Sequence, residues 1–417
     1  MQTKKVDVII VGGGVIGVSI AYYAAVRGAS VLLIERGAVG SGASHGNAGL
    51  LVPSHCQPLP SPGVIARGLR YLLQPDGPFY VHLQADMELA RWLWRFCRSC
   101  NEKHLYHSVG IFSKLSTESM ELHRQLAELG GDRYEYAQSG LLTLYINEKA
   151  FVESQEYYTG MKTYGIETAV LNGDQVRDME PEIGPQVIGG LLHKMDGRLD
   201  PAAFVSWLAG EAREKGVRIL SDTEVFWLEN SRRRVTSVVT THGDFQAEQI
   251  VLAGGAWIPQ LTSQLGVRIP IRAAKGYSLT FHRPGNSPKL PLLLDEARMA
   301  ITPFAQTLRM AGTLELAGGR DLDIDRSRLQ AIRAQAHRYL PNLGEIGLKE
   351  IWRGLRPCTP DGLPIFGRLH PYSNVLIAGG HGTKGMLLGP VSGKYISQML
   401  AGGSIGMMER SLKPRRF

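Results

Sequence analysis

The chain has only four cysteines among 417 residues, too few for a disulfide scaffold, and we expect it to reside in a reducing compartment. It has no long apolar run free of glycine. The uncharged stretch from Val8 to Val26 contains four glycines, and no small-residue cleavage site follows it, so we expect neither a signal peptide nor a spanning helix. No metal-binding or Ser-His-Asp constellation stands out, and no internal repeat is present.

Glycine, by contrast, is abundant: 49 of 417 residues, about 12%, against a usual ~7%. No Gly-X-Y period accompanies it, so the excess must lie at particular turns. The 44% hydrophobic and 20% charged residues are typical of a globular chain with a sizeable core. The net charge of +8 permits nucleic acid, an anionic membrane or acidic substrates as partners and selects none of them.

A predicted strand–turn–helix–strand unit spans residues 6–35, and its turn carries a Gly-x-Gly-x-x-Gly pattern. Gly12 permits the tight turn, Gly14 lets the backbone approach a pyrophosphate, and Gly17 lets the helix pack on the strand. Free N–H groups at the helix start favour phosphate. Glu35 ends the second strand, where an acidic residue binds a ribose hydroxyl. The unit predicts dinucleotide binding but does not separate NAD from FAD.

Strand and helix patterns of the nucleotide-binding type recur near residue 200 and after residue 375, and two blocks of different texture separate them. We therefore predict one nucleotide-binding domain in three parts, interleaved with a second domain in two parts. The first comprises residues 1–50, 196–265 and 351–417, and the second comprises 51–195 and 266–350.

Six segments, in this order, resemble the FAD-dependent D-amino-acid oxidase superfamily, and most closely its D-amino-acid dehydrogenases: IIVGGGVIGVSIAYYAAVRGASVLLIER, SHGNAGLLVPS, AKGYSLT, MAIT…LRMAGTLEL, WRGLRPCTPDGLPIFGR and GGHGTKGMLLGPVSGK. The resemblance covers nearly the whole chain. It implies an α/β fold (α+β overall), in which a Rossmann-like FAD-binding domain is interleaved with a substrate domain built on a large mixed β-sheet.

The resemblance implies FAD contacts along the glycine turn, at the ribose, along the flavin and at the start of the last helix. The implied contacts are Gly12, Gly14, Val15, Ile16, Gly17, Glu35, Arg36, Ser44, His45, Gly46, Asn47, Ala48, Gly49, Leu50, Val225, Gly254, Gly380, His381, Gly382, Thr383 and Lys384. Some relatives attach FAD covalently through a histidine in the loop that holds His45. The tryptophan–histidine spacing of those relatives is absent here, so we expect non-covalent FAD.

Three residues are candidates for a catalytic role. Arg356 falls where related amine oxidases hold the substrate carboxylate, and a guanidinium matches a carboxylate in two parallel hydrogen bonds; the alternative is a structural pair with Asp361. Tyr277 would direct its hydroxyl at the substrate or, alternatively, pack within the sheet. Lys384 is more typical of the sarcosine and glycine oxidase branch.

The resemblance implies oxidative deamination of D-amino acids, with a hydride passing from Cα to flavin N5 and hydrolysis giving a 2-oxo acid and ammonia. The electrons would pass to a quinone or another acceptor. Lys384 favours an alternative, a glycine, sarcosine or hydroxyproline oxidase that uses oxygen. A third class, an FAD-binding module in RNA modification, is suggested only by the positive charge, and no RNA-binding motif supports it.

Two further expectations concern location and the cysteine pair. We expect a cytoplasmic protein, with peripheral contact at the inner face of the cytoplasmic membrane left open. Cys97 and Cys100 have a redox or metal spacing, but they lie on the apolar stripe of a predicted helix and no second such pair exists. We therefore expect them to pack in the core.

Overall fold

A computed structural model describes residues 5–72, 79–81, 86–316 and 322–417. The strands, in chain order, are β1 (Val6–Val11), β2 (Val31–Ile34), β3 (Leu50–Leu51), β4 (Phe79–Val81), β5 (Leu141–Tyr145), β6 (Ala169–Asn172), β7 (Gly189–His193), β8 (Gly197–Arg198), β9 (Arg218–Leu220), β10 (Val225–Ser231), β11 (Arg234–Thr240), β12 (Gly243–Phe245), β13 (Ala247–Leu252), β14 (Arg272–His282), β15 (Leu292–Leu294), β16 (Met299–Pro303), β17 (Thr307–Leu316), β18 (Leu348–Cys358), β19 (Ile365–Arg368) and β20 (Val375–Gly379).

The α-helices pack around these strands. In chain order they are α1 (Val15–Val26), α2 (Val64–Leu72), α3 (Met87–Ser99), α4 (Glu102–Gly130), α5 (Glu148–Met161), α6 (Gly173–Met179), α7 (Pro201–Glu214), α8 (Ile258–Gln264), α9 (Arg326–Tyr339), α10 (Gly385–Leu400) and α11 (Met408–Leu412). Across the described ranges, no helix is both long and apolar enough to cross a bilayer.

The first sheet has six strands in the order β19-β20-β13-β1-β2-β9, all parallel except β19. Its central strands are buried on both faces, which explains their continuous apolar sequence. Val8 and Ile10 pack in the cluster that includes α1, α7 and α10. Ile9 and Val11 face the opposite side, where the small antiparallel sheet β10-β11-β12 covers them.

The second sheet is mixed and larger, with the order β18-β14-β17-β16-β15-β5-β7-β6, and β4 pairs with β17. Its core includes residues from β5, β14, β16 and β17 and from α9. The two sheets confirm the predicted α/β class with a large mixed sheet.

One predicted domain boundary and the placement of one helix differ from the structure. Residue 351 lies inside β18, which pairs along its length with β14, so the large sheet continues to Cys358. Helix α4, which was predicted to be in the substrate domain, packs instead on α10. Ser119 and His123 of α4 hydrogen-bond the carbonyls of Met386 and Leu387 at 2.5 to 3.1 Å. Sequence texture did not reveal this contact because it joins segments more than 260 residues apart.

Candidate active site

A cavity of about 1130 Å³ lies between the two sheets. The carboxyl ends of β1, β2 and β13 form one wall, which is where ligands bind in open α/β sheets. The loop at residues 41–50, the end of β18 and the start of α10 complete it. All the predicted site residues line this cavity except four, which are Gly17, His45, Gly49 and Tyr277.

The glycine turn is built as the motif requires. Gly12 has φ +113°, and a Cβ on it would lie 2.7 Å from the Ala253 carbonyl oxygen. A Cβ on Gly17 would lie 1.8 Å from the Gly12 oxygen, so Gly17 acts by packing and not by facing the cavity. The Ser44 hydroxyl accepts from the Val15 N–H at 3.0 Å, which fixes the following loop against the start of α1.

Glu35 and Arg36 form the far end of the cavity. The Glu35 carboxylate accepts from the Gly13 N–H at 2.6 Å, which fixes it at the end of β2. The guanidinium carbon of Arg36 lies 3.7 Å from the centre of the Trp257 ring, a cation–π contact that orients it along the wall. Val225, the first residue of β10, also lines the cavity, and its contact with the cofactor stays a prediction.

The loop at residues 44–50 is held by Arg309, which is not among the predicted site residues. Its Nη1 donates to the carbonyls of His45 at 3.1 Å and Asn47 at 2.8 Å, and its Nε donates to the Thr280 hydroxyl at 3.1 Å. The His45 imidazole bonds the Glu350 carboxylate at 2.7 Å and does not line the cavity. An arginine in a largely apolar strand was the only signal in the sequence for this contact.

The start of α10 presents backbone N–H groups to the cavity. Gly380 and Gly382 have φ of +75° and +56°, conformations that favour glycine. The Gly382 N–H is bonded to the Pro357 carbonyl at 2.8 Å, whereas Gly385 and Met386, in the first turn of α10, line the cavity. Such a helix start stabilises negative charge. Burial lowers the pKa of His381 to about 3, so its imidazole is neutral at pH 7.

Arg356 lies on the cavity wall with no acidic partner among the described residues. Its Nη1 donates to the Thr313 carbonyl at 2.9 Å, and the remaining N–H groups have no protein acceptor there. Gly276 makes room for the guanidinium, because a Cβ on Gly276 would lie 1.7 Å from Nη1. The alternative pairing with Asp361 is wrong, since Asp361 binds Arg416 through contacts of 2.6 and 3.1 Å.

Tyr277 does not have the predicted position beside the substrate. Its ring is completely buried in the large sheet, and its hydroxyl donates to the Glu315 carboxylate at 3.3 Å. It does not line the cavity, so the structure favours the packing role over the predicted contact with substrate. Lys384 does line the cavity, but its Nζ donates to the His55 carbonyl. Burial lowers the pKa of Lys384, while interactions with Cys56 and Asp196 raise it to a smaller extent.

The cysteine pair is also placed differently from the prediction. Cys97 is exposed at the rim of the cavity, and Cys100 is half-buried with its thiol donating to the Phe96 carbonyl. Core packing was therefore wrong for Cys97. Within the described ranges, no three His, Cys, Asp or Glu side chains are grouped as metal ligands.

These features fit FAD. The turn at Gly12 leaves no room for a Cβ, the start of α1 offers N–H groups to a pyrophosphate, and Glu35 is fixed where a ribose hydroxyl would lie. The start of α10 opens on the same cavity, where it would face the electron-rich part of a reduced flavin. The residues of this chain thus suit the two ends of one dinucleotide.

Comparisons with known proteins agree. The family model of the FAD dependent oxidoreductases (DAO) matches residues 7–399. The D-amino acid dehydrogenase of Vibrio atlanticus is 31% identical over 99% of this chain and 100% of its own length, and that of Granulibacter bethesdensis is 30% identical over 95% and 96%. Among solved structures, glycine oxidase from Bacillus cereus is 25% identical with a TM-score of 0.79, covering 99% of both chains. L-proline dehydrogenase from P. horikoshii, 20% identical, shares the fold with a TM-score of 0.77 over 100% of this chain and 98% of its own. The predicted resemblance, fold class and cofactor are confirmed, and the chain belongs to the FAD-dependent oxidoreductase (DAO) family.

Proposed function

We propose that the enzyme oxidises D-amino acids to 2-oxo acids and ammonia, with Arg356 binding the substrate carboxylate. The observation that carries the proposal is a guanidinium on the cavity wall that bonds one carbonyl and no acid among the described residues. A poorly solvated charge without a counter-ion is costly, so the site favours an anionic ligand. The names of the curated relatives support the D-amino-acid class.

The wall around Arg356 suits a small substrate. Ala300 and Ala311 face each other on adjacent strands and line the cavity, which leaves space beside the guanidinium. Arg356 would hold the carboxylate in two parallel hydrogen bonds and so fix the direction of the Cα–H bond. Bound FAD supplies the redox chemistry by accepting a hydride from Cα. No acid or base of the chain is required if the amine binds neutral, and water then hydrolyses the imino acid.

The test is anaerobic bleaching of the FAD absorbance by a panel of D-, L- and N-methyl amino acids. We expect D-amino acids to bleach it and L-amino acids not to. In Arg356→Ala, FAD stays bound while KM rises at least tenfold, because hydrogen bonds to charged groups contribute about 1.5–3 kcal/mol. An unchanged KM would contradict the role of Arg356. Bleaching by glycine or sarcosine alone, with peroxide on admission of oxygen, would favour the oxidase alternative that Lys384 suggests.

The electron acceptor in this proposal is a membrane quinone, reached through an apolar edge of the cavity. Ile65 and Leu69 of α2 line the cavity and are 41% and 61% exposed. Met87 and Trp94 of α3 are 70% and 59% exposed, and Arg98 stacks on Trp94 at 4.8 Å. Apolar side chains next to arginine suit the surface of an anionic bilayer. FAD is proposed to be non-covalent, since the His45 imidazole bonds Glu350.

A vesicle assay tests the acceptor and the surface together. Trp94→Ser should reduce the amount of protein that sediments with vesicles containing anionic lipid. It should also lower the rate at which the enzyme reduces a quinone dissolved in those vesicles. Trp227→Ser is the matched control, because Trp227 is 48% exposed and belongs to β10 of the small antiparallel sheet, not to α2 or α3. If the two variants behave equally, the edge formed by α2 and α3 does not contact the membrane. If oxygen alone rapidly reoxidises the reduced FAD, a quinone is not the required electron acceptor. Acid precipitation should release the FAD into the supernatant.

A further inference from the structure

The cavity has a second polar wall, formed by Asp295, that the function above does not use. Asp295 and Arg298 are the ends of the turn joining β15 to β16, and the Arg298 N–H donates to the Asp295 carbonyl at 3.1 Å. Both residues line the cavity. The Asp295 side chain is only 16% exposed, so its carboxylate is largely shielded from bulk water.

Strand order places this carboxylate two strands away from the contact that Arg356 makes. Ala311 of β17 pairs with Ala300 of β16, and Leu294 of β15, the residue before Asp295, pairs with Met299 of β16. Adjacent strands are ~4.8 Å apart, so β17 and β15 are about 10 Å apart. Arg356 donates to the carbonyl of Thr313 on β17, so its guanidinium and Asp295 line the same cavity from strands on either side of β16.

The Asp295 carboxylate has open acceptor capacity. The only ion pair recorded for it among the described residues is with Arg298, whose Nη1 lies 3.4 Å from Oδ1, and no described group donates a hydrogen bond to it. A carboxylate offers about four acceptor positions. Burial raises its pKa and the nearby Glu296 carboxylate adds to the rise, while interactions with Arg298, His55 and Arg67 oppose it. A largely buried carboxylate without donors favours a ligand that donates to it.

Two neighbouring side chains extend this polar wall. His55 lines the cavity; its Nδ1 bonds the Ser54 hydroxyl at 2.9 Å, and its Nε2 has no partner among the described residues. Tyr158 also lines the cavity, and its ring lies 6.2 Å from that of His55. The floor between the two poles is made by Ala300 and Ala311, which are too small to block a ligand that reaches from one pole to the other.

We propose that the substrate carries a hydrogen-bond donor on its side chain or ring, and that Asp295 accepts from this donor while Arg356 binds the carboxylate. The inference rests on the proposed function and narrows its substrate class. A purely aliphatic side chain would leave the Asp295 carboxylate desolvated, with the Arg298 ion pair but without a hydrogen-bond donor. It should therefore be oxidised roughly 10- to 100-fold less efficiently in kcat/KM.

Two matched substrate pairs test the proposal on the holoenzyme: D-ornithine against D-norvaline, and cis-4-hydroxy-D-proline against D-proline. The donor-bearing member of at least one pair should have the higher kcat/KM, by roughly 10- to 100-fold. Asp295→Ala should abolish that preference. Asp295→Asn distinguishes the two sources of donor, because an amide oxygen still accepts from a hydroxyl but no longer attracts an ammonium group. Asp174→Asn is the control. Like Asp295, Asp174 pairs with an arginine three residues later in the chain, but its pair with Arg177, at 2.6 Å, is on the surface.

The possible results distinguish a failure of the Asp295 proposal from a failure of the proposed D-amino-acid oxidation. If D-amino acids are oxidised but neither pair is distinguished, or if Asp295→Ala lowers kcat/KM equally for both members, the inference is wrong and the proposed function stands. If no D-amino acid bleaches the FAD, the proposed function fails and the inference falls with it. FAD content and melting temperature show whether each variant is folded. If the alanine variant does not fold, Asp295→Asn, which preserves side-chain size, tests whether Asp295 sets the preference for donor-bearing substrates.

Discussion

Gly276 offers a way to move the proposed substrate anchor without changing its chemistry. Gly276 lies on β14 opposite Gly354, and the guanidinium of Arg356 extends across it to the Thr313 carbonyl. In Gly276→Ala, the new Cβ would lie 1.7 Å from Nη1 and 2.3 Å from Cζ of Arg356. Ordinary van der Waals contact needs about 3.4 Å or more, so the guanidinium must move by about 1.5–2 Å.

The expected magnitude follows from that displacement. It exceeds the tolerance of a hydrogen bond, so at least one charge-assisted bond to the carboxylate is lost, at a cost of about 1.5–3 kcal/mol. One factor of ten corresponds to ~1.4 kcal/mol, so KM should rise roughly 10- to 150-fold. Bound FAD should be unaffected, because Gly276 does not line the cavity.

The assay is steady-state oxidation of a D-amino acid with an artificial electron acceptor, together with the FAD-to-protein absorbance ratio. Gly210→Ala is the control, because a Cβ on Gly210 of α7 meets nothing within 4 Å. Its KM should be unchanged, and its stability should rise by about 0.5–1 kcal/mol from the better helix propensity of alanine. If Gly276→Ala keeps full FAD content and a normal KM, Arg356 does not bind the carboxylate.

Three further predictions concern the cofactor, pH and the carboxyl-terminal segment. Gly17→Ala should give protein with little or no FAD, measured by absorbance, because its Cβ would lie 1.8 Å from a backbone oxygen of the phosphate turn. Burial lowers the pKa of His123 to about 4, so the unfolded chain binds an extra proton between pH 4 and 6.5. Stability should therefore fall with acidity across that window by up to ~1.4 kcal/mol per pH unit, and His123→Gln should flatten the slope in urea melts. Arg416→Met should lower stability by about 1.5–3 kcal/mol in thermal melts, because it removes the two-point contact with Asp361, whereas Arg415→Met should not.

Each of these has a contradicting result. A flavin-replete Gly17→Ala protein would mean that the turn adapts and that the glycine is not required for close packing. Parallel pH–stability curves for wild type and His123→Gln would show that another group controls acid unfolding. Similar melts for the two arginine variants would show that the Asp361 contact adds nothing beyond a surface charge.

Much of the nucleotide-binding half was predictable because its signals are local. The Gly12 turn, its flanking strand and helix, and Glu35 all lie within thirty residues, and each follows from backbone geometry that a short sequence fixes. The loop at 44–50 and the turn at 380–384 came from the resemblance instead. Residues of both segments line one cavity, and their contact with FAD stays a prediction.

Contacts between distant residues were not predictable. The orientation of Tyr277 depended on Glu315 in another strand, and Arg309 reaches back 262 residues to the Asn47 carbonyl. Periodicity shows which face of an element is apolar, but it does not show which partner covers that face. Strand pairing decides the partner, and nothing in the local sequence around these residues encodes the pairing.

The sequence alone therefore determined the family, the cofactor class and the chemistry of the residues predicted to contact FAD. Only the tertiary structure decided the rest. It left Arg356 without an acidic partner among the described residues by pairing Asp361 with Arg416, and it placed Asp295, at the end of β15, on the wall of the same cavity. The physical reason is that the free energy of a charged group depends on what surrounds it, and those surroundings form only when the chain folds.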